Sequence, residues 1–454
     1  MKINRIPLLF LLTCSIVVNG WSQKSELLTF GVISDTHFEN GIGEGAMMKV
    51  PRALKNLTSQ ARLDALVIVG DLTDKGRADQ YEMLVKVFTD KANYIYPVEH
   101  LFFMMGNHDH VDRNGVSNYQ DGLKSFNGGD PYPLHQYKII KGYPFITISM
   151  LTCNSDAYSD DLRKQLDSQM AQAARECPGK PIFVFTHVPP QWTVYGSWPE
   201  FEGGSSWALP DLNPVLNKYP QAVVFAGHSH YPLGDQRSIH QGANPNSVCQ
   251  NYYTVINVGS TTYSEVHPGV VSTGIHPEKY AYVTEGVVVS ELENGDIEIR
   301  CYDTYRNAEI CTGRWVLKSP FDGSNFEYAD IRDKDDNPNK VHLRDGLPAP
   351  VFADFAEISV ETSDTCAVIT FPQAVDYECV FRYRIRVFKD GLVVSENFIF
   401  SQFYLYNDMP PTISSTICGL TPNMDYFVEV VAYDSYDNIS APISTIFKTV
   451  QTLY

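Results

Sequence analysis

Three things are scarce in this chain, and each scarcity excludes something. Cysteine is one: nine in 454 residues are too few for a fold held mainly by disulfides. Long apolar runs are another. The apolar stretch Ile6–Val18 is shorter than the roughly 20 residues a membrane-crossing helix needs, and no later segment qualifies, so no membrane span is expected. Basic residues are the third, with 35 Lys and Arg against 53 Asp and Glu and a net charge of −18. Such a surface repels a phosphate-rich polymer at long range, so no nucleic-acid polymer is expected as a partner. What is plentiful is core: 44% hydrophobic residues, over a length that suits two or three domains.

The start of the chain reads as a targeting segment. Lys2 and Arg5 precede the apolar stretch, and Asn19, Gly20 and Ser22 follow it. Residues 1–22 therefore read as a secretory signal peptide, with the product periplasmic or secreted. Its removal takes away Lys2 and Arg5 and no acid, moving the net charge from −18 to −20. Cys14 offers a lipid-anchor alternative, but Ser15-Ile16-Val17-Val18 continues the apolar core past it. Eight cysteines then remain. Export permits disulfides. Cys301 and Cys311 are placed to face each other across a hairpin, and several others read as buried thiols.

Five short polar segments carry the chemistry: Asp35-Thr36-His37, Gly70-Asp71, Gly106-Asn107-His108-Asp109, His187, and Gly227-His228-Ser229-His230. Each closes an apolar run of buried-strand length: Leu27–Ser34, Ala65–Val69, Leu101–Met105, Pro181–Thr186 and Ala222–Ala226. Sites in α/β sheets form at the carboxyl ends of strands. The donors are two carboxylates (Asp35, Asp71), one amide oxygen (Asn107) and four imidazoles (His37, His187, His228, His230). One tetrahedral ion takes about four ligands. The set suits two ions about 3.5–4 Å apart sharing a carboxylate, an arrangement made for phosphoryl chemistry. His108 is left over, followed by a carboxylate able to orient its ring, and reads as a general acid or base. The other seven histidines, His100, His110, His135, His240, His267, His276 and His342, read as structural or surface residues. His110 is nearest the site in sequence.

The order D-x-H, G-D, G-N-H-D, H, G-H-x-H resembles the calcineurin-like metallophosphoesterases, over residues 24–318. The resemblance implies a four-layer αββα sandwich and a dinuclear centre. One ion would take Asp35, His37, Asp71 and His230. The second would take Asp71, Asn107, His187 and His228, with Asp71 bridging, His108 as proton donor and Asp109 orienting it. The ions are divalent or trivalent, from manganese, iron, zinc or cobalt, with availability deciding. Lys75 and Asp109 stand where protein Ser/Thr phosphatases carry Arg and Glu, and Lys is a different phosphate clamp from Arg. Ile33-Ser34-Asp35-Thr36-His37 with Gly70-Asp71-Leu72-Thr73-Asp74 is closer to the class III cyclic-nucleotide and glycerophosphodiester phosphodiesterases. The expected activity is hydrolysis of small phosphodiesters or monoesters. The alternative is an adhesion protein with a weak enzyme domain.

Helices are expected at Val50–Ala61, Arg77–Ala92 and Asp160–Glu176. Strands Tyr253–Val258, Tyr282–Leu292, Ile297–Tyr302 and Arg314–Leu317 suggest a second sheet packing on the first. Pro189–Pro210 is rich in aromatics, with Trp192, Tyr195, Trp198, Phe201 and Trp207. It is either a long loop anchored by its own side chains or a rim stacking on a base or sugar. Polar residues 319–346 read as a linker. Residues 347–454 hold seven short strands, which suits a β-sandwich. Leu420-Thr421-Pro422-Asn423-Met424-Asp425-Tyr426 resembles the tyrosine corner of fibronectin type III domains. That module would bind a glycan or protein partner, or pack on the enzyme.

Overall fold

The structure is a computed structural model. It describes residues 27–39, 41–153, 157–197, 208–209, 212–242, 251–266, 275–328, 348–377 and 379–451. Residues 1–22, expected to be a signal peptide, and Cys14 within them lie outside the described residues, as do Trp198, Phe201 and Trp207.

Two six-stranded sheets face each other in the first domain. The first runs β12-β11-β10-β1-β2-β3. Its strands are β1 (Thr29–Ile33), β2 (Ala65–Ile68), β3 (His100–Phe103), β10 (Glu285–Glu291), β11 (Ile297–Asp303) and β12 (Ala308–Leu317). The second runs β4-β5-β6-β7-β9-β8. It contains β4 (His135–Ile140), β5 (Tyr143–Ile148), β6 (Ile182–Thr186), β7 (Ala222–Ala226), β8 (Ile239–Gln241) and β9 (Thr254–Asn257). Helices α1 (Ala46–Gln60), α2 (Ala78–Thr89), α3 (Gly115–Gly122), α4 (Asp160–Glu176) and α5 (Asn213–Leu216) supply the outer layers. The central strands read as unbroken apolar runs because both faces are covered. In β1, Phe30 and Val32 turn inward to the other sheet, while Ile33 turns outward to Val50, Leu54 and Leu57 of α1. Phe30 sits edge-on to Phe145 and Phe183, with ring centroids 4.9 and 4.8 Å away. On the far side, Leu162, Leu166 and Met170 of α4 cover Ile146 and Val184.

The αββα layering is as expected, but the second sheet is composed differently. Strands β10 to β12 extend the first sheet by antiparallel pairing, Val32 standing opposite Val287. The second sheet is instead built from β4 to β9. Cys301 stands opposite Ile310, not Cys311, and both cysteines are free thiols, so the expected cross-hairpin disulfide is absent. Cys366 and Cys418 form a disulfide. Ser319–Tyr328 is not linker: Phe321 is buried in the inter-sheet core, and the Tyr328 hydroxyl accepts from Val316 N at 3.0 Å.

The C-terminal domain has β13 (Ser359–Thr362), β14 (Cys366–Pro372), β15 (Val380–Lys389), β16 (Leu392–Phe400), β17 (Thr412–Cys418), β18 (Asp425–Asp434) and β19 (Ile443–Lys448). They form sheets β13-β14-β17 and β16-β15-β18-β19, a three-plus-four sandwich of the fibronectin type III kind. The tyrosine corner is formed: Tyr426 Oη accepts from Thr421 N at 2.8 Å.

The two domains share a buried apolar cluster. Tyr195, Tyr231, Val266 and Val283 meet Phe381, Phe403, Tyr404, Leu405 and Tyr436. Inside it, Asp235 holds Arg237 at 2.6 Å and accepts from Ser435 Oγ at 2.8 Å. The Arg237 guanidinium lies 4.0 Å from the Tyr195 ring centroid and 4.6 Å from that of Phe381. Nearby, the Tyr406 hydroxyl donates to Glu285.

Burial raises the Glu285 carboxyl to about 8, against weaker downward pulls from Tyr406 and the Leu233 amide. The folded state therefore holds a proton that the unfolded chain has released. Stability from this group is present at low pH and declines as pH rises through the interval from about 4.5 to about 8. Glu285→Gln should flatten that slope. Relative to wild type, the variant should gain more than about 1 kcal/mol between pH 5 and pH 9. Denaturant titrations at the two pH values check it, and parallel wild-type and variant curves would refute it.

Candidate metal centre

All five segments reach one place because the parallel strands β1, β2 and β3 of one sheet and β6 and β7 of the other end at the same edge. Two glycines let the loops close up. A Cβ on Gly106 would lie 2.2 Å from Asp71 Oδ1, and one on Gly227 would lie 1.8 Å from Ser34 Oγ. Asp35, His37, Asp71, His228 and His230 all have positive φ. Left-handed non-glycine residues cost roughly 1–3 kcal/mol each and concentrate at functional sites.

The expected ligands fall into two groups of donors, Asp35–His37–His230 and Asp71–His187–His228. Asp35 Oδ1 lies 3.1 Å from His230 Nε2, 3.8 Å from His37 Nε2 and 3.9 Å from His187 Nε2. It is buried, and among the described residues it has no hydrogen-bond donor. Its other oxygen accepts from His228 N at 3.0 Å. Asp71 Oδ2 lies between the groups, 3.2 Å from His187 Nε2 and 3.6 Å from His37 Nε2. Asp71 Oδ1 accepts from His108 N at 2.8 Å. Asn107 Oδ1 is 3.1 Å from His187 Nε2.

The imidazoles are oriented from behind. His187 Nδ1 is 2.8 Å from Val69 O, and His230 Nδ1 is 3.1 Å from Tyr263 O. With Nδ1 donating to a carbonyl, each ring presents the Nε2 lone pair to the site, the arrangement a metal requires. Charge points the same way. Burial raises the Asp35 carboxyl, but His230 and then His187 outweigh it and carry it down to about 2. Burial lowers His187, but Asp71 and then Asp35 reverse this and bring it to about 9. Burial and the neighbouring His187 bring His228 down to about 4, and burial brings His37 down to about 3. The acids thus hold a proton on a ring that would otherwise be neutral. A cation among these donors substitutes for that proton. The residues fit a bound metal.

His108 stands at the rim, 37% exposed. Its ring is 4.6 Å from that of His37, with Nδ1 3.0 Å from Asp74 O. Asp109 does not orient that ring, contrary to the sequence expectation. Its fully buried carboxylate accepts from the backbone N of Leu72, Thr73 and Gly106, each at 3.0 Å. It also accepts from Thr73 Oγ1 at 2.8 Å and Tyr81 Oη at 3.0 Å. Five donors satisfy it as a brace between two ligand loops. Asp74 is the residue that sequence reasoning missed. It supplies the carbonyl and groups with His37 and His108. The available signal was its fixed place in Gly70-Asp71-Leu72-Thr73-Asp74.

His110 turns away, its Nε2 3.0 Å from Met150 O. His267 and His342 lie outside the described residues. In the aromatic segment, Tyr195 packs on Tyr231 at 4.4 Å and Asn251 Nδ2 donates to Trp192 O at 3.2 Å. Its described part is anchored loop.

This strand-end constellation between two sheets defines a metallophosphoesterase domain. Residues 28–232 match the calcineurin-like phosphoesterase family. A probable cyclic nucleotide phosphodiesterase of Rhodococcus erythropolis is 28% identical over 207 residues, covering 44% of this chain and 64% of the relative. The chain thus spans just under two thirds of that relative's length. A similarly named protein of Ruthia magnifica is 26% identical over 44% of this chain and 78% of its own. Among solved structures, a purple acid phosphatase from yellow lupin seeds aligns with TM-score 0.45 and 12% identity, over 65% of this chain and 54% of its own. The C-terminal part aligns with a fibronectin type III domain of human contactin 1, with TM-score 0.18, 22% identity, and coverage of 24% of this chain and 85% of that one.

Proposed function

We propose that this protein is an exported, metal-dependent hydrolase of small phosphodiesters, with His108 as the leaving-group acid. The carrying observation is Asp71 Oδ2, set between His37 and His187 so that one carboxylate serves both donor groups. Asp35, His37, Asp71 and His230 would hold one ion, and Asp71, Asn107, His187 and His228 the other. A metal pair in such a site supplies positive charge at phosphorus and a lowered pKa for water. The chain's own part is positioning and proton transfer. Asp71 Oδ1 fixes the His108 amide, and the Asp74 carbonyl holds Nδ1–H. The His108 Nε2 proton is then free to pass to the departing alkoxide.

The two relatives named as probable cyclic nucleotide phosphodiesterases support the preference for diesters. The disulfide Cys366–Cys418 supports export, because such bonds persist in oxidising compartments. The C-terminal sandwich acts as a brace for the enzyme rather than as a separate binding module. The test is a turnover panel of bis(p-nitrophenyl) phosphate, p-nitrophenyl phosphate and 2′,3′-cyclic AMP, run with metal analysis of the protein. We expect about two metals per chain after loading with manganese or zinc, and faster turnover of the diesters. A protein that binds metal yet hydrolyses none of the three overturns the proposal.

A further inference from the structure

Beside the metal centre stands a ring that the ligand set does not use. Tyr263 packs across His230 at 4.1 Å between centroids and lies 5.7 Å from His37. Its other sides are closed by His276, edge-on at 5.4 Å, and by Tyr280, edge-on at 6.1 Å. His276 is itself fixed, stacked on Tyr280 at 4.5 Å with 4° between planes and held by Glu265 at 3.0 Å from Nε2. The Tyr263 backbone is fixed as well. Its carbonyl receives His230 Nδ1, and the neighbouring Thr262 hydroxyl donates to Asp35 O at 2.8 Å. The buried Lys49 ammonium donates to Thr262 O.

Four aromatic neighbours therefore set the direction of this phenol, yet among the described residues its hydroxyl has no hydrogen-bond partner. A tyrosine that needed only to cover His230 and His37 would do so equally well as phenylalanine. Tyr263 is only partly buried, so a hydroxyl that the protein leaves unpaired there is open to a ligand bound beside the seven metal donors. The ring itself stands against two of the donors, His230 and His37.

We propose that Tyr263 is a substrate-binding residue whose hydroxyl donates a hydrogen bond to a non-bridging oxygen of the bound phosphoryl group. This inference rests on the phosphoesterase reading above. The phosphoryl group then has a neutral donor on the Asp35–His37–His230 side, complementary to His108 on the leaving-group side. A hydrogen bond to a charged oxygen contributes about 1.5–3 kcal/mol, which corresponds to about 10- to 100-fold.

The experiment compares Tyr263→Phe with wild type in three measurements on metal-loaded protein: metal content, calorimetric affinity for inorganic phosphate, and kcat/KM for bis(p-nitrophenyl) phosphate. The expected result is unchanged metal content with phosphate affinity and kcat/KM each reduced about 10- to 100-fold. Tyr263→Ala, which also uncovers His230, should lose metal in addition. Phosphate affinity equal to wild type in the Phe variant overturns the inference, whatever the rates are. Phosphate binding does not depend on turnover, so an inactive wild type would count against the phosphoesterase reading while this comparison still decides the role of Tyr263.

Discussion

Asp71→Asn should lower kcat/KM for a phosphodiester by about 10³-fold or more and leave the protein short of metal. Asparagine keeps the side-chain shape and can still accept from the His108 amide through Oδ1, so the loop should hold. What it loses is the charged Oδ2, standing 3.2 Å from His187 Nε2 and 3.6 Å from His37 Nε2. Asp35 Oδ1 also reaches both groups, but it stands farther from His187, at 3.9 Å. Metal ions in such sites contribute several kcal/mol of transition-state stabilisation, and about 4 kcal/mol corresponds to the 10³-fold stated. Metal content, thermal melting and steady-state kinetics check it together. A variant that melts like wild type and keeps both its metal and its rate would remove Asp71 from the bridging role.

His108→Ala should show a loss that depends on the substrate. For a diester with an alkoxide leaving group, the proton from Nε2 is needed as the bond breaks, and the rate should fall about 10²–10⁴-fold. For a p-nitrophenolate leaving group, stable without protonation, the fall should be much smaller. The ring is hydrogen-bonded through Nδ1 to the Asp74 carbonyl and is 37% exposed, so its removal should leave the metal donors in place. Equal losses on the two substrates would exclude His108 as the leaving-group acid.

The strand-end segments were legible because a parallel strand covered on both faces is a short, unbroken apolar run, and its end is marked by the first polar residue. Ile182–Thr186 and Ala222–Ala226 stop one and two residues before a histidine. Composition of the second sheet was not legible. Pairing is non-local, and nothing within Glu285–Glu291 says that its neighbour is β1 rather than β9. Strand β4 mixes exposed and half-buried positions, as an edge strand does, and gives no clean period. Asp109 was misread for a different reason. Adjacency to His108 is a fact of sequence, whereas the tight turn after Asn107 sends the two side chains in opposite directions. Tyr263 gave no local signal at all, since its meaning lies in rings and backbone from three separate segments.

The contact between the domains bears on how the chain can be cut. Tyr195, Tyr231, Phe381, Phe403, Tyr404 and Tyr436 lie in one cluster, with the Asp235–Arg237 pair reaching Ser435 inside it. None of these residues falls between positions 328 and 348. Hydrolysis of a peptide bond between those positions cuts none of the contacts just named, so the two pieces should stay together as a nicked complex. Deleting the C-terminal piece is a different matter. It strips the partner from a buried ion pair and from a wall of aromatic rings, and the surface left bare would favour self-association. The covalent link is dispensable where the non-covalent one is not.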